Sequence, residues 1–288
     1  MAPTYYIRHT HSMWIDDPTW DHLWAAKKIA LHYPTLATGE TDQDARELNP
    51  DLYKASAKKS MRAFHELRKG AYVLAEYPGR RCLVGWVEPQ EIALYEGKWD
   101  SRGKPPGRVA VLKTLQVSRV QEISASAAIA MLAGRPIQGT ICRWHNAGQR
   151  IARRVEGKEA EDVVESLDAT AAEVLCAEFL RLPTSETNLP QLAHLILPVG
   201  RTLRDVDIFG LDVDGSRIAV QVTFHRRENA GWKIERLKKM EASGVKLVFF
   251  LTCSASFEEG GIQFYPLQEA YRRFVATPTG RQWFMQQR

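Results

Sequence analysis

The sequence predicts a two-domain protein of α/β plus α+β class. Residues 1–155 read as a small curved sheet or barrel with flanking helices, and residues 156–288 as an α/β unit with a mixed sheet. Three observations carry this. Short strand-like runs (AYVLAEY, CLVGWV, VAVLKTLQV, GTICRWH) alternate with turns in the first half, as in small barrels. In the second half the order is helix, two strands around a turn, helix, strand. Between them, RRVEGKEAEDVV passes from a basic strand end through a glycine into a run of helix formers.

Taken in order, the first half offers helices over Trp20 to His32 and Leu52 to Leu67, and DSRGKPPG reads as a loop. Ala160 to Leu182 is rich in helix formers, with Val163, Leu167, Val174 and Phe179 on one stripe, and Pro183 ends it. The polar loop TSETNLP and the short apolar segment LAHLILPVG follow. RDVDIFGLD and RIAVQVTF are strands joined by the turn DGS. NAGWKIERLKKMEASG is a helix with Ile234, Leu237 and Met240 inward and Gly244 as its C-cap. VKLVFFLTC, an unbroken apolar run, is a strand buried on both faces.

Composition bounds the partners. Of 288 residues, 44% are hydrophobic and 25% charged, which is ordinary for a globular protein. No apolar run approaches bilayer length, and the opening MAPTYYIRHTHSMW lacks the pattern of a signal peptide. Cys82, Cys142, Cys176 and Cys253 stand alone, which argues against disulfides and structural zinc and for a cytoplasmic setting. The formal net charge of +5 is unevenly spread, with residues 1–157 basic and the remainder slightly acidic. That asymmetry fits a nucleic-acid reader joined to a metal-using catalytic unit, or a chance imbalance of surface charge.

The densest chemistry lies between Arg204 and Leu237. Asp205 and Asp207 are two apart and share one face of a strand, as do Gln221 and Thr223 on the next. The opposite face of that second strand, Ile218, Val220, Val222 and Phe224, is continuous apolar packing. Oxygen donors on adjacent strands suit a hard divalent cation such as Mg²⁺, which needs few protein ligands. The blander reading treats Asp205, Asp207, Asp212 and Asp214 as turn and edge-strand acids, and Gln221 as a polar residue satisfied by backbone.

These residues resemble the PD-(D/E)XK nucleases, especially the Mrr-type restriction endonucleases, over residues 160–255. The resemblance implies an αβββαβ core and Mg²⁺-dependent cleavage of DNA. It assigns Glu173 in AAEVLCAEFL to the helix glutamate, Asp207 to the metal-binding aspartate and Gln221 to the first position of the (E/D/Q)xK motif, with Asp205 a second metal candidate. Thr223 stands where that motif has lysine, and Lys233 in GWKIERL is the replacement the resemblance offers from the next helix. His225, Arg226 and Arg227 follow the second strand and suit phosphate contacts.

The first half resembles the PUA-like superfold, in its EVE and YTH branches, through Lys69-Gly70, Val73 and Gly85-Trp86-Val87. Ala71 replaces the aspartate of that pattern. The resemblance implies an aromatic cage around a flipped, modified base. Trp14, Trp24, Trp86 and Trp99 are the candidate walls, although most tryptophans fill cores. Arg8, Lys27, Lys28, Arg80 and Arg81 are candidate backbone contacts, while His9 and His11 lack a metal-spaced partner and read as structural. Together these imply a modification-dependent DNA endonuclease for phage defence, a homodimer on duplex DNA. The competing readings are a nuclease indifferent to modification, a non-catalytic DNA- or RNA-binding protein of nuclease fold, and an RNA-modification reader. No P-loop, Ser-His-Asp or Rossmann glycine pattern is present.

Overall fold

The computed structural model describes residues 2–9, 13–38, 46–102, 108–124, 127–129, 132, 140–144, 148–158, 163–183, 187–196, 206–241 and 244–287. The chain divides into two compact units, Met1–Ala160 and Glu161–Arg288.

In the first unit, β1 (Thr4–Arg8), α1 (Asp17–Ala25), β2 (Lys28–Leu31) and α2 (Ala55–Leu67) precede a run of strands. These are β3 (Ala71–Tyr77), β4 (Arg81–Val87), β5 (Ala93–Lys98), β6 (Val109–Gln116), β7 (Ser118–Ile123) and β8 (Ile141–Arg143), and α3 (Gly148–Val155) closes the unit. The described strands form two sheets, β7-β4-β3-β1-β8 and β2-β6-β5. The expected helix over Trp20 to His32 is half strand. Asp16 caps α1 by accepting from the Thr19 amide, Lys27 turns the chain at φ 54°, and Lys28–Leu31 pairs with β6. The β-branched Ile29 and its neighbours bury better on a sheet than along a continued helix. The helix expected from Leu52 begins instead at Ala55, after a single 3₁₀ turn at Pro50–Leu52.

The second unit holds α4 (Ala169–Arg181), β9 (Leu192–Leu195), β10 (Ile208–Asp212), β11 (Arg217–Arg226), α5 (Gly231–Lys238) and β12 (Lys246–Thr252). After them come β13 (Phe257–Glu259), β14 (Ile262–Pro266), α6 (Leu267–Ala276) and α7 (Pro278–Gln287). The sheet order is β13-β14-β12-β11-β10-β9, with β12 parallel to both β11 and β14 and the other pairs antiparallel. This is a mixed α/β sheet, and Lys246–Thr252 occupies the interior position its apolar run demands.

Two expected helix ends are corrected. Helix α4 starts at Ala169 because the Asp168 carboxylate accepts from the Ala171 amide at 2.8 Å, while Val163 is extended at φ −137°. Helix α5 ends at the cap Lys239, and Gly244, at φ +66°, belongs to the turn into β12.

Strand β11 divides the unit's core. Its Ile218, Val220 and Val222 pack with α4 and α6, where Phe179, Phe250 and Tyr265 meet at ring distances of 5.5–6.1 Å. Its Ala219 packs on the opposite face with Ile234 and Leu237 of α5. Each of the valine, isoleucine and leucine side chains among these contributes about 1.5–3 kcal/mol by leaving water, so the strand's register is firmly set. Gly210 lets β9 lie close: a Cβ there would stand 2.4 Å from the His194 carbonyl oxygen.

Candidate active site

The site follows from that register. Because Ala219 faces α5, alternation turns Gln221 and Thr223 to the same side, and both are buried. Asp207 lies one residue before β10, next to the pair Ile208 and Val220, and not within the strand proper. Its amide donates to the Val220 carbonyl at 2.9 Å, so it keeps the ladder's alignment. Its Oδ2 accepts from the Val222 amide at 2.7 Å, which fixes the carboxylate beside the Gln221 segment.

Lys233 reaches the same place from the first turn of α5. Ile234 and Leu237 anchor that helix in the core, and the Lys233 Nζ donates to the Val222 carbonyl at 2.9 Å. The ammonium stands 3.9 Å from Asp207 Oδ2, and the two side chains are only 20% and 18% exposed, so water screens them weakly. Burial raises the Asp207 pKa above its ordinary value, with the Val222 amide and the Lys233 ammonium opposing that shift.

Gln221 is 2% exposed, and its Oε1 has no hydrogen-bond partner among the described residues. A buried, unmatched amide oxygen costs about 1–3 kcal/mol unless something occupies it. Glu173 is half-buried on α4, the helix whose buried residues pack with Ile218, Val220 and Val222. The fully buried Cys176 thiol one helical turn on is pushed well up by burial, and further by the Asp207 and Glu173 carboxylates. Both carboxylates thus act on that one thiol. Thr223, where a lysine would be expected, accepts from the His225 amide at 3.3 Å and offers no charge.

The donor set is thus a carboxylate, an unmatched amide oxygen and a second carboxylate nearby, with one ammonium between strand and helix. Among the described residues, no group of three or more His, Cys, Asp and Glu side chains is placed to hold a metal ion. An oxygen set that includes Gln221 still fits a hard divalent cation, because the buried Oε1 lacks a donor that such an ion replaces. Asp205 lies outside the described residues, as does His11.

The other expected residues are dispersed. His225 and Arg226 are exposed at the end of β11. Arg227 is engaged by Glu259 through two donors, Nε at 3.0 Å and Nη2 at 2.6 Å, and lies over the Phe264 ring. Trp24 carries Lys27 at 4.6 Å and Arg81 at 5.4 Å over its ring, and meets Tyr77 edge-on. Trp99 meets His32 edge-on, and Trp14, at φ 53°, is exposed. Trp86 packs against Tyr72 in a different hydrophobic cluster from that of Trp24 and Trp99. His9 is buried and structural, accepting from the Ala30 amide and bonded to the Glu76 carbonyl.

One exposed residue escaped the sequence reading. Trp232, at the start of α5 and next to Lys233, is 55% exposed, with the Arg236 guanidinium 4.9 Å from its ring centre. Its signal was the W-x-x-x-R spacing in GWKIER, which puts an aromatic ring and a cation on one outward helix face.

Among the described residues no helix is long and apolar enough to cross a membrane. No known family profile matches the chain, and no curated protein matches it. Among solved structures, the crystal structure of a repair endonuclease from Pyrococcus abyssi is similar at 12% identity, covering 68% of this chain and 77% of that one, with a TM-score of 0.22.

Proposed function

We propose that the second unit hydrolyses phosphodiester bonds in DNA with the help of Mg²⁺, and that the first unit selects DNA carrying a modified base. The observation that carries the catalytic half is the Lys233 ammonium, 2.9 Å from the Val222 carbonyl and 3.9 Å from Asp207 Oδ2, beside the unmatched Gln221 oxygen. Asp207 and Gln221 Oε1 would hold the cation, with Glu173 supporting from α4. The cation, when bound, supplies a lowered pKa for attacking water and offsets charge on the phosphate. Lys233 adds positive charge where negative charge builds, and orients the water. The Val222 amide holds the carboxylate in place throughout.

The modified-base half rests on the basic first unit and on Trp24 with its two flanking cations. Double-strand cleavage would take two copies of the site, hence a homodimer on DNA. A second reading, binding without cleavage, is favoured by Thr223 at the expected lysine position and by the lack of a three-acid cluster among the described residues.

Wild type and Asp207→Ala are incubated with Mg²⁺ and two phage DNAs, one unmodified and one with modified cytosines. Cleavage of the modified DNA alone, lost in the variant, supports both halves. Cleavage of both DNAs removes base selection, and binding without cleavage of either selects the second reading.

A further inference from the structure

We infer that Trp232 is a positioning residue that stacks on an unpaired nucleobase of the strand passing Lys233, so the site prefers nucleic acid with a single-stranded or locally opened segment. The inference rests on the proposed reading of the Asp207–Lys233 site as a nuclease site.

Large aromatic side chains normally hide their area, as Trp20 and Trp144 of the first unit do. Trp232 instead leaves 55% of its surface open. It is also not a loose surface residue. It sits at the second position of a helix whose Ile234 and Leu237 are fixed in the core, so its ring starts from a rigid base. The Arg236 guanidinium lies 4.9 Å from the ring centre and the Lys233 ammonium 5.7 Å from it. One ring therefore lies close to two cations, one of which is the ammonium that stands 3.9 Å from Asp207 Oδ2.

An exposed aromatic ring with two cations within about 6 Å of its centre suits a nucleobase with its phosphate: the open part of the ring stacks on the base and the cations meet the backbone. The chemistry also restricts the form of that base. Inside an intact duplex both faces of every base are already stacked, so a protein ring gains a partner only where a neighbour is missing. Such places are a single strand, a strand end, or a base turned out of the helix. A lipid surface or an acidic peptide would meet the cations but has no planar partner for the ring. The exposed Arg226, at the end of the strand leading to α5, extends the positive charge along the same segment.

The test measures binding alone, using the full chain in EDTA, where cleavage cannot intervene. Three fluorescein-labelled probes are compared by anisotropy: a single strand, the matching blunt duplex, and that duplex with one unpaired base. Wild type should bind the single strand and the interrupted duplex more tightly than the blunt one. Trp232→Ala should weaken those two by roughly 5- to 100-fold and leave the blunt duplex little changed. Trp232→Phe, which keeps a stacking face, should recover most of the loss, and it also guards against a folding defect in the alanine variant. Equal losses on all three probes, or none, overturn the inference while leaving the nuclease reading in place. Wild type that binds none of the probes overturns the nucleic-acid reading, and this inference with it.

Discussion

Lys233 and Asp207 come from different elements, an α-helix and the lead-in to a strand, yet their charged atoms lie 3.9 Å apart and share Val222. The lysine bonds its carbonyl and the aspartate its amide, so a single peptide segment of β11 holds both groups in register. A pair positioned by backbone is difficult to rebuild with another side chain. Lys233→Ala should lower the single-turnover cleavage rate at least 100-fold, the range seen when one charge-stabilising donor is removed. DNA affinity should change far less, because one phosphate contact among many is lost. Lys233→Arg should recover little, since a planar fork does not replace a compact ammonium. Rates close to wild type for Lys233→Ala would remove Lys233 from the chemistry.

Asp207 connects function to stability. Burial holds its native pKa above the unfolded value, so its contribution to stability is fully present below the ordinary carboxylate range. That contribution is lost as pH rises through the raised native value. Asp207→Asn keeps an acceptor for the Val222 amide and carries no charge. The variant should therefore melt at a higher temperature than wild type at neutral pH, with the difference shrinking as pH falls to the carboxylate range, and it should not cleave. A melting difference independent of pH would show that the carboxylate is not strained by burial.

How much of this could be read from the sequence differs by element. The inward side of Gln221 was legible because strand alternation is a local rule and the apolar face Ile218, Val220 and Val222 announced itself, whereas Asp207 precedes β10 and alternation does not place it. Lys233 was legible only through a resemblance, since nothing local to GWKIERL says its side chain reaches back to Val222. The β2 strand was missed because LWAAKKIALH has helical composition, and only its partner β6, over 80 residues away, decides the matter. Trp232 was overlooked because exposure depends on which helix face the rest of the fold leaves open. The ion pair of Arg227 with Glu259 was not legible because the two lie 32 residues apart in sequence.

Gln221 allows the metal question to be approached without an activity assay. Its Oε1 is buried without a donor among the described residues, so the folded chain bears a desolvation cost there in the absence of a ligand. Gln221→Leu removes that oxygen at similar volume and should raise metal-free stability by about 1 kcal/mol. On the proposed reading, Mg²⁺ should raise the melting temperature of the wild type through linkage, and Gln221→Leu should abolish that rise. Gln221→Glu should increase that rise, because a second carboxylate would then be offered to the cation. Identical Mg²⁺ responses in wild type and Gln221→Leu would take Gln221 out of the cation site.

His9 couples the stability of the first unit to acid. The ring is fully buried between Tyr77, at 4.3 Å, and Trp20, at 5.2 Å, and both nitrogens are committed. Nε2 accepts from the Ala30 amide at 3.0 Å, and Nδ1 donates to the Glu76 carbonyl at 3.0 Å, which requires the neutral ring. A second proton would set an N–H against the Ala30 N–H, and burial pushes the pKa down from 6.5 to about 3. The unfolded chain takes up that proton near pH 6.5 while the folded chain refuses it. His9 therefore adds a loss of stability of about 1.4 kcal/mol for each pH unit between those two values as the solution is acidified. Tryptophan fluorescence can follow this loss, since Trp20 lies against the ring. His9→Gln should be less stable at neutral pH, because its flexible amide fills the aromatic pocket poorly. Its decline below pH 6.5 should be shallower than that of wild type, and parallel acid curves for the two proteins would show that another group governs the acid unfolding.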